Sequence, residues 1–242
     1  MYKTAPIRHT LVYMMSGIIY EKGHQPISNA NISVRFDINI RDYWDTHMKM
    51  VAALSHSYTV KTAVVTYNTS HVISNWVRNH VDGFVTLDRD ITTQIMTRIY
   101  GLIHFRKKFD AKYYVITRID IQYLPRTIHA LRNIMIRTDS VLALHTFLGD
   151  YINDVFFALE RSSIPKFIFC TTQSRRYGAT AGEIPIDSHE LNMCMKTSTV
   201  FCKQWITVRT PNDMYKLPGY SRTPLFVYYV TDIFTSMITW SL

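Results

Sequence analysis

Residues 113–123 read YYVITRIDIQY. The apolar run Tyr113–Ile116 leads into Thr117, and apolar residues resume at Ile121. A short apolar run bounded by polar residues predicts a strand buried on both faces. Arg118 and Asp120 then fall where that strand ends. Two readings are open for this pair. They form an ion pair at the strand terminus, or they face a ligand that needs one positive and one negative group.

Working back from this stretch, strand-like and helix-like segments alternate. LVYMMSG (11–17) reads as a strand ending at glycine, and DYWDTHMKMVAAL (42–54) places Trp44, Met48, Val51 and Leu54 at helical spacing. VKTAVVTY (60–67) is a β-branched strand, HVISNWVRN (71–79) a short helix and GFVTLD (83–88) another strand. TTQIMTRIYGLIHF (92–105) predicts a helix with Ile95, Ile99, Leu102 and Ile103 on one face. The alternation argues for an α/β fold: a mostly parallel central sheet flanked by helices. Ligands of such sheets bind beyond the carboxyl ends of the strands, where Gly17, Thr66, Asp88 and Asp120 fall.

The second half is less regular. One or two strands are expected in 134–147, a helix over 150–162, a strand at 166–170, a polar loop over 171–187 and a helix over 188–196. No linker interrupts the chain, so a single domain over 1–242 is expected.

The 242 residues carry a formal net charge of +9, which calls for an anionic partner. The basic residues are scattered, the densest runs being Arg106–Lys108 and Arg175–Arg176. Nothing resembles a basic arm or an RNA-binding motif, which weighs against a nucleic-acid partner. Cys170, Cys194 and Cys202 lack metal-ligand spacing and read as reduced core residues of a cytoplasmic protein. No run of eighteen apolar residues predicts a transmembrane helix. The chain has no P-loop, G-x-G-x-x-G, H-E-x-x-H or G-x-S-x-G motif, and its histidines are spread singly.

Two acidic motifs remain. Asp88-Arg89-Asp90 is a literal D-x-D, whose carboxylates suit a divalent metal or, equally, a solvated turn with Asp90 capping the next helix. Arg118-Ile119-Asp120 is an R-x-D at the end of the following strand.

The run FDAKYYVITRIDIQYL resembles the D-x-D segment of GT-A-type glycosyltransferases. It is similar in particular to a group of viral and polysaccharide glycosyltransferase-like proteins with R-x-D in that place. In this resemblance Asp110 matches a turn aspartate, Arg118 the arginine and Asp120 the final carboxylate. TTQIMTRIYGLIHF resembles the preceding amphipathic helix, INDVFFAL a later polar helix start with Asn153 and Asp154, and Ser16-Gly17 the end of the first strand. Two departures stand out. Arg118 replaces the first carboxylate of D-x-D, and the arginine that commonly follows Ser-Gly is absent, with Arg35 the next one available.

The resemblance implies a GT-A-like fold and transfer of a sugar from a UDP- or GDP-sugar donor to a glycan or other hydroxyl acceptor. Residues up to about 125 would bind the donor, and those from about 126 the acceptor. Asp120 would hold Mn2+ or Mg2+ at the diphosphate, and Arg118 would fork onto phosphate oxygens. Ser16, Gly17, Thr66, Gln94 and Arg98 complete the expected donor site. Gln94 and Arg98 share a helix face that reads equally as an exposed polar stripe. Asp154, with Asp150 second, would act as base toward the acceptor, at the start of a helix that either residue would also cap. His189 and Glu190 are expected at the acceptor. The competing readings are a basic nucleic-acid-binding or processing protein and a catalytically inactive sugar-binding relative of the same fold.

Overall fold

The computed structural model describes residues 8–17, 19, 23–27, 32–36, 40–67, 71–87, 94–119, 121, 123, 125–132, 136, 140–145, 151–173, 186–187, 196–201, 206–207 and 227–228. The first strand, β1 (Thr10–Ser16), is followed by a hairpin of β2 (Gly23–Ile27) and β3 (Ile32–Phe36), then helix α1 (Ile40–Leu54). Next come β4 (Thr59–Tyr67), α2 (His71–Arg78), β5 (Gly83–Leu87), α3 (Gln94–Lys108), β6 (Tyr113–Arg118) and α4 (Pro125–Leu131). The chain continues with β7 (Ser140–His145), β8 (Tyr151–Glu160), a 3-10 turn (Arg161–Ser163) and α5 (Ile164–Gln173). The remaining strands are β9 (Ile186–Asp187), β10 (Lys196–Phe201), β11 (Ile206–Thr207) and β12 (Val227–Tyr228).

The main sheet runs β10-β7-β8-β6-β1-β4-β5, with β9 paired to β8. Its block β5-β4-β1-β6 is wholly parallel, and β8 runs antiparallel to both β6 and β7. The α/β class expected from the sequence is the class observed. Strand alternation divides the core in two. Leu11, Tyr13 and Met15 of β1 pack with Trp44, Met50 and Leu54 of α1 on one face. Val12 and Met14 pack with Leu102 and Phe105 of α3 and Phe167 of α5 on the other.

Helix α3 lies close to the sheet at Gly101. A Cβ there would stand 2.7 Å from Val65 Cγ1 and 2.8 Å from Met14 Sδ. Val65 is β-branched and buried, so it has little room to yield. The Gly101→Ala variant gains about 1 kcal/mol of helix propensity but incurs about 1–3 kcal/mol of overpacking. A net loss of stability is expected in urea titration; a variant more stable than the parent would contradict this packing.

Two expectations for the second half are corrected, and one for α3. Residues 151–160 form a strand and not a helix. Phe156, Phe157, Ala158 and Leu159 are all fully buried, because β8 has a neighbour on each edge and a helix-bearing layer on each face. Such a run carries no period, so spacing alone cannot separate strand from helix. Conversely, the expected strand 166–170 lies within helix α5. Ile164, Phe167, Cys170 and Thr171 are buried while Lys166 and Phe169 are exposed, a helical period, and Pro165 occupies the first turn where its missing N–H costs nothing. On α3, Ile99, Leu102 and Phe105 form the buried stripe, whereas Ile103 is 41% exposed and lies off it.

The expected helix over 188–196 lies outside the described residues except Lys196, which opens β10, as does most of the loop 171–187. Cys170 is disulfide-bonded, against the expectation of three reduced thiols, and its partner lies outside the described residues. Cysteine spacing in sequence does not report Cα separation, which is what permits the bond. Among the described residues no helix is long and apolar enough to cross a membrane.

Candidate functional site

The strand order places a topological switch at β1. From β1 the chain moves to β4 and β5 on one side, then returns to add β6 on the other. Crevices for ligands open at the carboxyl ends of strands at such a point. Here those ends are Ser16 and Arg118, which are register partners.

The turn after β1 is tied to both neighbours. Gly17 has φ of +131°, a region that L side chains rarely adopt. Its N–H donates to the Val65 carbonyl at 3.2 Å, and the Ile119 N–H donates to the Ser16 carbonyl at 2.9 Å. Ser16 Oγ donates to the Thr117 carbonyl at 3.2 Å. The hydroxyl of Ser16 is therefore committed to holding β1 against β6. Beside it, at the end of β4, Thr66 is fully buried and its Oγ1 has no hydrogen-bond partner among the described residues. A buried hydroxyl left unpaired costs about 1–3 kcal/mol, a cost that a ligand oxygen at this edge would relieve.

Two guanidinium groups belong to the same layer. Arg118 is 7% exposed and Arg98, on α3, is 5% exposed. Alternation along β6 puts Arg118 on the face of Tyr114 and Ile116, the face covered by α3 and α5. The Arg98 guanidinium lies 6.0 Å from the Phe157 ring centroid on that face, and Phe157 pairs with Ile116. The expected exposed polar stripe at Gln94 and Arg98 is thus overturned for Arg98. The helix turns it onto the sheet, and the aromatic ring of β8 gives the cation a π-face. Gln94 opens α3, and its side chain lies outside the described residues.

Beneath the turn, on the opposite face, lies a polar cluster that sequence reading missed. His47 is fully buried in α1. Its Nδ1 is 2.9 Å from the Tyr13 hydroxyl, and its Nε2 is 3.1 Å from the Ile119 carbonyl oxygen. Tyr123 hydrogen-bonds Thr117 Oγ1 and reaches the Tyr13 hydroxyl. Burial pushes the phenols of Tyr13 and Tyr123 well above the usual tyrosine range, so both stay protonated. The signal was present in the sequence. Tyr43, His47, Met50 and Leu54 are spaced three or four apart, which puts a histidine on the apolar face of α1.

The other expected site residues divide as follows. Asp110 is exposed and pairs at 2.9 Å with Arg161, whose second nitrogen donates to the Arg106 carbonyl, so it ties the turn before β6 to the end of β8. Asp154 does not open a helix; it lies within β8 because the segment pairs with β6 and β7. The antiparallel register Thr117↔Phe156 still brings the Asp154 backbone to the carboxyl edge of β6. Its side chain lies outside the described residues, as do Asp88, Asp90, Asp120, Asp150, His189 and Glu190 altogether. Among the described residues no group of three His, Cys, Asp or Glu side chains forms a metal site.

No family model matches the chain, and no curated protein matches it. Solved structures similar to it include the glycosyltransferase GlyE of Streptococcus pneumoniae TIGR4, at 12% identity and a TM-score of 0.44, covering 80% of this chain and 45% of that one. The mannosyltransferase PcManGT from Pyrobaculum calidifontis, solved with GDP-Man and Mn2+, matches at 12% identity and a TM-score of 0.46, covering 80% and 55%. The nucleoside-diphosphate-sugar pyrophosphorylase from Vibrio cholerae RC9 matches at 11% identity and a TM-score of 0.45, covering 78% and 90%. The chain thus spans about half the length of the two glycosyltransferases.

Proposed function

We propose that the chain is a glycosyltransferase that moves a sugar from a UDP- or GDP-sugar to a glycan or other hydroxyl acceptor. The observation that carries this reading is the pairing of Ser16 with Arg118 at the switch point, with Arg98 buried on the same sheet face. A departing nucleoside diphosphate gathers negative charge, and fixed cationic donors in a buried edge stabilise that charge without reorganising. Arg118 supplies a planar fork suited to phosphate oxygens, and Arg98 a second positive group from α3. Gly17 lets the backbone after β1 come close to the donor, and Thr66 offers a hydroxyl that has no partner among the described residues. From the second half of the chain, Asp154 takes the proton of the acceptor hydroxyl, with Asp150 the alternative, and His189 and Glu190 contact the acceptor.

Mn2+ or Mg2+ at Asp120 remains part of the proposal. The described residues do not assemble a donor set for it, so no step above passes through a metal. The test is calorimetric titration of UDP and GDP with and without Mn2+, alongside a nucleotide-sugar panel scored for donor hydrolysis. Saturable binding of one nucleotide, lost in Asp120→Ala, is the expected result. If neither nucleotide binds while an oligonucleotide does, with steep salt dependence, the reading fails in favour of a nucleic-acid partner. Binding without hydrolysis or transfer to any acceptor leaves a sugar-binding protein without catalysis.

A further inference from the structure

We propose that His47 is a positioning residue that locks the end of β6, at Arg118 and Ile119, to α1 through the Ile119 carbonyl. The role of that segment in phosphate binding rests on the reading given above; the anchoring itself does not. A buried imidazole is costly unless both nitrogens are hydrogen-bonded, and here both are. A carbonyl only accepts, so Nε2 carries the proton and donates to Ile119. In the neutral ring Nδ1 then accepts from the Tyr13 hydroxyl, and the partners fix the tautomer.

The network touches the R-I-D segment before, within and after. Thr117 precedes it and bonds Tyr123, Ile119 is its middle residue, and Tyr123 follows it. The imidazole also packs edge-on against the Tyr123 ring, with centroids 5.7 Å apart at 88°. On its other side the Ile119 N–H is held by Ser16. Both polar groups of the Ile119 backbone are therefore fixed, one by β1 directly and one by α1. A leucine or phenylalanine at position 47 would fill the same volume, but neither would hold the carbonyl. This is why the histidine reads as more than core packing. A turn fixed at both backbone groups of Ile119 presents the preceding Arg118 side chain in one geometry, which a charge-stabilising site requires.

The experiment compares wild type, His47→Phe and His47→Gln by backbone hydrogen exchange without ligand. Glutamine keeps an N–H donor for Ile119; phenylalanine keeps only volume. Losing one net hydrogen bond predicts about tenfold faster exchange over residues 117–123 in His47→Phe, with β4 unchanged and His47→Gln close to wild type. Equal exchange in His47→Phe and wild type, or glutamine behaving as phenylalanine does, overturns the proposal.

If His47→Phe does not fold, Tyr13→Phe carries the same test. Removing the Tyr13 hydroxyl withdraws the bond that steadies the Nδ1 side of the ring, and a smaller rise confined to 117–123 is expected. A uniform rise, or none, overturns the proposal. In a parallel titration, nucleoside-diphosphate affinity falls about tenfold in His47→Phe and returns in His47→Gln, a rescue that loss of packing would not give. Wild-type protein that binds neither UDP nor GDP counts against the glycosyltransferase reading alone, and the exchange data still decide the anchor.

Discussion

Phe157→Ala is expected to destabilise the protein by about 3–5 kcal/mol, the range for truncating a fully buried phenylalanine. Phe157 is fully buried on β8 and pairs with Ile116 of β6 on one edge and Ala143 of β7 on the other. Its ring packs against Phe167 of α5 with centroids 5.2 Å apart, and the Arg98 guanidinium of α3 lies over it. Two helices and two strands therefore lose a shared contact at once. Neither helix can close the gap easily, since α3 is already held at van der Waals limits by Gly101. Urea denaturation measures the loss. Val72→Ala, at a position 67% exposed, is the control and should shift stability by less than about 0.5 kcal/mol. A loss below about 1 kcal/mol at Phe157 would mean that the face carrying Arg98 is not packed as described.

That same strand marks where sequence reading gave out. The first half was legible because its elements carry local signals: β-branched enrichment in β4, a helical stripe in α1 and a short apolar run bounded by polar residues in β6. The alternation placed Gly17, Thr66, Asp88 and Asp120 at carboxyl ends; Gly17 and Thr66 lie there, and Asp88 and Asp120 are outside the described residues. In the second half, YINDVFFALE and IPKFIFC are both short apolar segments, and only tertiary pairing separates them. YINDVFFALE is a strand because β6 and β7 offer it two edges, and IPKFIFC a helix because Phe169 and Lys166 face outward. His47 escaped for a different reason. Its spacing puts it on the apolar face of α1, but its role depends on Tyr13 and Ile119, which lie 34 and 72 residues away.

Arg118→Ala is expected to weaken nucleoside-diphosphate binding about a hundredfold, which corresponds to about 2.7 kcal/mol and to the loss of a charge-assisted fork. Arg118→Lys keeps the charge but loses the planar geometry, so it should recover only part of the affinity. The rival account is the one the opening stretch allowed, an Arg118–Asp120 ion pair at the strand end with no ligand. The two accounts differ in sign when both groups are removed. Breaking a buried pair by deleting one partner costs about 3–5 kcal/mol, because the other charge is stranded, and replacing both with apolar residues recovers much of it. On the ion-pair account, Arg118→Leu with Asp120→Leu is therefore more stable than either single variant, and nucleotide never mattered. On the phosphate account the double variant binds no better than the worse single one, whatever its stability. Thermal melts and titrations on the four proteins form one double-mutant cycle that reads both quantities. The burial of Arg118 at 7% makes the stability arm sensitive, since a solvated charge would show little in either direction. A cycle with strong coupling in stability and none in nucleotide affinity would return YYVITRIDIQY to the role of a strand with a well-paired end.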